Sequence, residues 1–264
     1  MVNRPQPTSG LSNAMLGFLG GLGVLVALGL LVYLVAVIGD GSSESGPYQS
    51  IYVSLGDSIA AGSGASDPER TGFPALLAAD EGVASLHNVA VAGATTQHVI
   101  DGQLAPALVA INTGRVAFIT ISAGGNDLGA LMGNQACARD PVPDTCPLEK
   151  QLAAVEANMR TILSYLRESG LRVPIVILAY PNFFSGTGHG FEAPAGRVLP
   201  ELRAMLERLA NEYEHVAVAA PSFEGRGAEL THVLDAISDP HPNDAGHRVI
   251  ADAMAAALDE ARGD

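Results

Sequence analysis

The chain has 264 residues, of which 48% are hydrophobic, and a formal net charge of -14. That is room for one large domain or two small ones, with enough apolar content to bury a core. So acidic a surface disfavours nucleic acid, because nothing would replace the counterions along a phosphate backbone, whereas neutral esters, glycans and acyl chains stay open as substrates.

In chain order, residues 1–13 are polar and read as a disordered cytoplasmic tail. Residues 14–38 are an apolar run without one charged side chain. At about 1.5 Å per residue, a helix of that length crosses a hydrocarbon core of about 30 Å with some tilt. A cleaved signal peptide is the alternative, but its apolar region spans about 7–15 residues and ends in a small-x-small site. This run is longer, and Ile38-Gly39-Asp40 is a poor cleavage site. The reading is an uncleaved single-pass anchor, with secretion after cleavage as the other outcome. Arg4 precedes the span while Asp40 and Glu44 follow it, which puts the N-terminus in the cytoplasm and the remainder outside. Gly17 and Gly21 form G-x-x-x-G, but glycine is common in membrane helices and no role is drawn from it. Residues 39–47, GDGSSESGP, are a Gly/Ser linker. Residues 48–264 form one domain with no internal repeat.

Within that domain, apolar strand-like runs alternate with helical patterns. Strands are expected at 51–55, 87–91, 116–122, 173–179 and 216–219. Several are apolar throughout, as when helices cover both faces of a parallel sheet. Leu152, Val155, Met159, Leu163 and Leu166 form a stripe at helical spacing, and Val249, Ile250, Ala253, Met254, Ala257 and Leu258 form another. The order implies an α/β fold, a doubly wound, mostly parallel five-stranded sheet with helices on both faces. Such sheets bind ligands beyond the carboxyl ends of their strands.

Four segments fall at those ends. The first is VSLGDSIAAGSG, residues 53–64, with Ser58 past the first strand at the expected start of a helix. Backbone N–H groups there can face a ligand, and small neighbours allow close approach, although serine also serves as a plain helix N-cap. The second is VAVAGATT, with Gly93 in a turn. The third is SAGGNDL, where Asn126 offers an amide. The fourth is SDPHPNDAGH, with His241 between two prolines and Pro242 placed to start the last helix. Cys137 and Cys146 lie close together in CARDPVPDTC. In an exported domain a disulfide is the natural reading, and without a nearby histidine they make a poor zinc site.

Together the four segments resemble the GDSL-type, or SGNH, hydrolases. Gly56-Asp57-Ser58 matches the first block, Gly93 the second, Gly124-Gly125-Asn126-Asp127 the third and His241-Pro242-Asn243 the last. The resemblance covers about residues 50–260. It implies a flavodoxin-like sandwich and a carboxylic ester hydrolase, an esterase or lipase, that needs no metal and no cofactor. Ser58 is then the nucleophile and His241 its base. The N–H groups of Ser58 and Gly93 and the amide of Asn126 hold the oxyanion. The usual last block is D-x-x-H, but Ser238 occupies the acid's position and Asp239 lies two residues before His241. Either Asp239 or a backbone carbonyl then orients the ring.

Asp57 and Asp127 read as structural, one bracing the serine turn and the other its own loop. His247 reads as a packing or surface residue, and His87, His98, His189, His215 and His232 show no partner in the sequence. Residues 182–195, NFFSGTGHGFEAPA, form a long loop whose Phe183, Phe184 and Phe191 either line an acyl or aryl site or pin the loop to the core. The cystine segment is a second candidate pocket wall. Competing functions are a carbohydrate O-deacetylase of cell-envelope glycans, which shares the catalytic set, and a non-catalytic surface protein that keeps the fold. A phosphate binder is disfavoured by the lack of G-x-x-x-x-G-K-[ST] and the scarcity of bases. The sequence leaves oligomeric state and the natural ester open.

Overall fold

The computed structural model describes residues 50–263 apart from 113, 114, 140 and 237. The anchor expected at 14–38 and the linker at 39–47 lie outside the described residues, and no described helix is long and apolar enough to cross a membrane.

Five parallel strands form one sheet in the order β2-β1-β3-β4-β5. They are β1 (Ile51–Gly56), β2 (Ser85–Asn88), β3 (Val116–Ser122), β4 (Ile175–Leu178) and β5 (Val216–Ala219). The main helices are α1 (Phe73–Asp80), α2 (Leu104–Ile111), α3 (Leu148–Glu168), α4 (Glu192–Ala210) and α5 (Asp244–Arg262). Helix α5 packs on α1, β4 and β5, while α3 packs on α4 and α2, so the sheet lies between helical layers. The buried faces are those the periodicities mark: Val155, Met159, Leu163 and Leu166 on α3, and Ile250, Met254, Ala257 and Leu258 on α5. At the sheet centre Tyr52 stacks on Phe118 with ring centroids 4.4 Å apart, and its hydroxyl meets Thr120 Oγ1 at 2.6 Å.

The strand order reverses between β1 and β3, which is where a doubly wound sheet opens a crevice at its carboxyl edge. β3 and β5 have the expected bounds, and β1 runs one residue further. β4 is shorter than 173–179, and β2 lies at Ser85–Asn88 rather than 87–91. Past Asn88 the regular strand ends, although the Val89 and Val91 N–H groups still donate to the Ser54 and Gly56 carbonyls of β1; Asn88 Nδ2 donates to the Ala60 carbonyl and its Oδ1 accepts from the Ala90 N–H.

Two further departures bear on the site. No helix follows β1, where residues 57–64 form turns and the next helix is α1. Ahead of α5, a short antiparallel pair, β6 (Thr231–His232) and β7 (Asp239–Pro242), carries His241. Pro242 therefore ends a strand. Asn243 is the N-cap of α5, its side chain accepting from the Gly246 N–H.

Candidate active site

The end of β1 presses against the end of β3. Gly56 has φ +139, and a Cβ there would lie 2.1 Å from the Ser122 carbonyl oxygen, so only glycine fits. Buried Gln103 clamps this glycine. The Gly56 N–H donates to its Oε1 at 2.7 Å, and its Nε2 donates to the Gly56 carbonyl at 2.7 Å. The Asp57 N–H then donates to the Ser122 carbonyl, continuing the ladder into the turn. Asp57 Oδ1 accepts from the Ile59 N–H at 3.0 Å. The turn is thus braced by Asp57, and Ser58 is not a helix cap. Ser58 is half-buried.

Beneath Ser58 the Asp57 carboxylate gathers donors from three other segments. Tyr180 Oη donates to Oδ2 at 2.6 Å and Ser122 Oγ to Oδ1 at 3.2 Å. Asn126 Nδ2 approaches Oδ2 at 3.4 Å while donating to the Ala94 carbonyl at 3.0 Å. Burial pushes the Asp57 carboxyl up to about 6, with the donors from Tyr180, Ile59 and Ser122 pulling the other way. Burial also drives the Tyr180 phenol well above its ordinary range, and the adjacent Asp57 adds to this. Asp127 ties its own loop down, accepting from the N–H and hydroxyl of Thr96.

His241 lies on β7. Its Nδ1 is 2.5 Å from Asp239 Oδ1, and the same oxygen accepts its backbone N–H at 3.0 Å. The group against the ring nitrogen is the carboxylate rather than a backbone carbonyl. Burial works to raise the Asp239 carboxyl, but the donors and charge of His241 outweigh it and hold it below the usual range. Ser238 takes φ +51 just before Asp239, held by its N–H to the Asp235 carbonyl and its hydroxyl to the Val233 carbonyl. With Nδ1 occupied, Nε2 is the ring atom left for a proton from a nucleophile.

Ser58, Asn126 and His241 all line one cavity of about 200 Å³. Its other walls are mainly apolar, including Met132, Leu199 and the three phenylalanines of the 182–195 loop. These rings do both jobs the sequence allows. They line the cavity, and they pin the loop through edge contacts of Phe183 with Phe223 and of Phe184 with Phe191. The disulfide Cys137–Cys146 is present; neither cysteine lines this cavity, but the segment that runs from Asn126 to the cystine gives it Gly129 and Met132. The same segment touches the phenylalanine loop through Gln135 Nε2 to the Gly190 carbonyl. Gly93, at φ +79 and exposed, lines a neighbouring hollow beside Gln103, one residue from the Ala94 carbonyl that Asn126 holds.

Most histidines read as unpartnered do have partners. His98 closes a capping box with Thr95, His215 Nδ1 meets the Ala261 carbonyl, and His189 stacks on Phe184. His232 and His247 hold the loop after Ser58. Among the described residues no group of three or more His, Cys, Asp or Glu could hold a metal ion. Gln103, Tyr180 and His232 are the residues that sequence reasoning missed. None falls in a short motif, and each is recruited from a distant segment.

Residues 54–249 match the model of the GDSL-like lipase/acylhydrolase family. Among solved structures, the chain is similar to the extracellular lipase of Streptomyces rimosus, at 21% identity and TM-score 0.54, covering 79% of this chain and 99% of that one. It is also similar to a phospholipase A1 of Streptomyces albidoflavus NA297, at 20% identity and TM-score 0.55, covering 79% and 99%. An acetylxylan esterase of Geobacillus stearothermophilus aligns at 16% identity and TM-score 0.52, covering 79% and 94%. At these identities the likeness is one of fold. No curated protein matches the chain.

Proposed function

The chain belongs to the GDSL-like lipase/acylhydrolase family and is an ester hydrolase, and on that premise we propose that it is a membrane-anchored, extracytoplasmic serine hydrolase of small acyl or aryl esters. One observation carries the reading: Ser58, Asn126 and His241 line a single apolar cavity, and Asp239 takes the far nitrogen of His241.

In this reading Ser58 Oγ attacks the ester carbonyl and His241 Nε2 takes its proton. The oxyanion lies against the N–H groups of Ser58 and Gly93 and the Asn126 amide. Collapse of the tetrahedral adduct breaks the ester C–O bond, and His241 returns the proton to the leaving alcohol. Water, deprotonated by the same ring, then releases the acid from Ser58. Asp239 keeps the ring in the tautomer with Nδ1–H and stabilises the transient imidazolium.

The cavity favours a modest acyl group. Its volume of about 200 Å³ is small for a ligand pocket. Aromatic and aliphatic walls suit a short acyl chain or an aryl ring better than a sugar, which supports a small apolar ester over an acetylated glycan as substrate. Location rests on the apolar span at residues 14–38 and the disulfide, which suits an oxidising compartment.

The test is a panel of p-nitrophenyl esters of rising chain length together with acetylated xylan, run on wild type and Ser58→Ala. Turnover that peaks at short chains and vanishes in Ser58→Ala supports the proposal. Full activity in Ser58→Ala, or activity on the glycan alone, contradicts it.

A further inference from the structure

Two successive carbonyls in the loop after Ser58 are each held by a histidine. His247 Nε2 donates to the Ser63 carbonyl at 3.0 Å, and its Nδ1 accepts from the Phe73 N–H at 3.2 Å. One donor and one acceptor define a neutral ring. His232 is bonded differently. Its Nε2 lies 2.9 Å from the Gly64 carbonyl oxygen, and its Nδ1 lies 2.7 Å from Asp235 Oδ2. Both partners are acceptors, so each ring nitrogen must bring a hydrogen, and only the imidazolium carries two.

The carbonyl held in this way sits against the strand of the candidate base. A Cβ on Gly64 would lie 2.3 Å from the Pro242 carbonyl oxygen and 2.9 Å from His241 Cβ. His232 itself lies on β6, paired with Asp239 of β7. It therefore contacts the loop that carries Ser58 and stands beside the strand that carries Asp239 and His241.

We propose that His232, as an imidazolium, is a positioning residue for ester hydrolysis that clamps the Ser58 loop against the Asp239–His241 strand. This rests on the reading of Ser58 and His241 as nucleophile and base. The charged and titratable groups facing His232 are Asp235 in the hairpin turn, Asp239 on β7 and His247 on α5, while the loop at 63–64 offers only carbonyls. The Gly64 carbonyl, then the Asp235 carboxylate, raise the His232 pKa above its ordinary value. Burial lowers that of His247, which keeps it from opposing the cation. The clamp is complete in acid and weakens as pH rises through the raised value, because the neutral ring's single N–H is drawn to the Asp235 carboxylate and leaves Nε2 without a hydrogen for the Gly64 carbonyl. His241 works in the opposite sense, since it must be neutral to accept a proton. Activity then has an alkaline limb from His232.

The experiment compares kcat and KM against pH for the full chain in detergent, using a short p-nitrophenyl ester, in wild type, His232→Gln, His232→Phe and Ser58→Ala. His232→Gln retains an N–H for the Gly64 carbonyl and does not titrate, so it should keep most of kcat and lose the alkaline limb. His232→Phe should lose kcat about tenfold or more, the scale of a displaced reacting group, with KM little changed. Histidine-selective nitrogen NMR should show both His232 nitrogens protonated at neutral pH, a readout that does not need His232→Phe to fold. An unchanged alkaline limb in His232→Gln, unaltered kcat in His232→Phe, or a singly protonated His232 overturns the proposal. If Ser58→Ala is inactive and any of these occurs, this inference alone fails. If Ser58→Ala is active, the underlying assignment fails.

Discussion

A serine hydroxyl attacks a carbonyl only if its proton has somewhere to go, and the Asp239 contact decides which nitrogen of His241 is left to receive it. Asp239→Asn can hold the ring in the wrong tautomer, so kcat should fall by about 10²–10⁴ while the melting temperature barely moves; a loss of less than threefold would hand the orienting role to another group. Asp57 makes a different prediction. Its folded pKa is raised to about 6 by burial, above the unfolded carboxyl. The penalty for a buried charge is therefore absent in acid and complete above the folded value, so this group's contribution to stability falls as pH rises. Relative to Asp57→Asn, the wild type should gain melting temperature as pH drops from about 7 to about 4, and parallel curves would contradict the shift. At this scale, the serine, asparagine and histidine that line one cavity were legible because each stands beside small or turn-forming residues, whereas Gly93 borders a neighbouring hollow. Gln103 and Tyr180 were not, because a lone glutamine in a helix and a lone tyrosine after a strand carry no local sign of what they will touch. Ser238 shows how a motif can shift: its left-handed backbone turns Asp239, rather than a residue one position earlier, toward the histidine.

Among the elements, the turn after β1 and the β6–β7 pair are the two bodies that must meet, and Gly64 lies between them. Gly64→Ala places a Cβ against the Pro242 carbonyl at a φ of +87. It should cost more than about 1 kcal/mol of stability and lower activity further than that loss explains; a folded, fully active variant would mean that the contact is loose. Gln103→Ala removes both bonds to Gly56 from a buried position and should cost about 1–3 kcal/mol in urea unfolding. The parallel sheet was legible because its strands are continuous apolar runs, and β3 and β5 fell at the expected residues. β2 did not, because the run after His87 looks equally strand-like and only pairing with β1 fixes the register. The β6–β7 pair was missed because prolines and turn residues in SDPHPND resemble a plain loop. The serine turn reads as a helix start from its small residues, yet Asp57 closes it locally before a helix begins.

For the whole molecule, residues Gln49–Asp264 form one compact unit with its own core. Its disulfide closes a short loop, with the cysteines nine residues apart. In the chain-entropy picture that is worth about 2.5–3 kcal/mol, so reduction should lower the urea midpoint, and an unchanged midpoint would show that the bridge adds nothing. The central claim is that three distant stretches bring a hydroxyl, an imidazole and a carboxamide to one cavity for covalent catalysis. Treating the native chain with a fluorophosphonate and mapping the adduct by mass spectrometry tests it most directly. The account predicts a stoichiometric adduct on Ser58 that is lost in His241→Ala and after unfolding. No adduct on the native chain, or one on another residue, would contradict it.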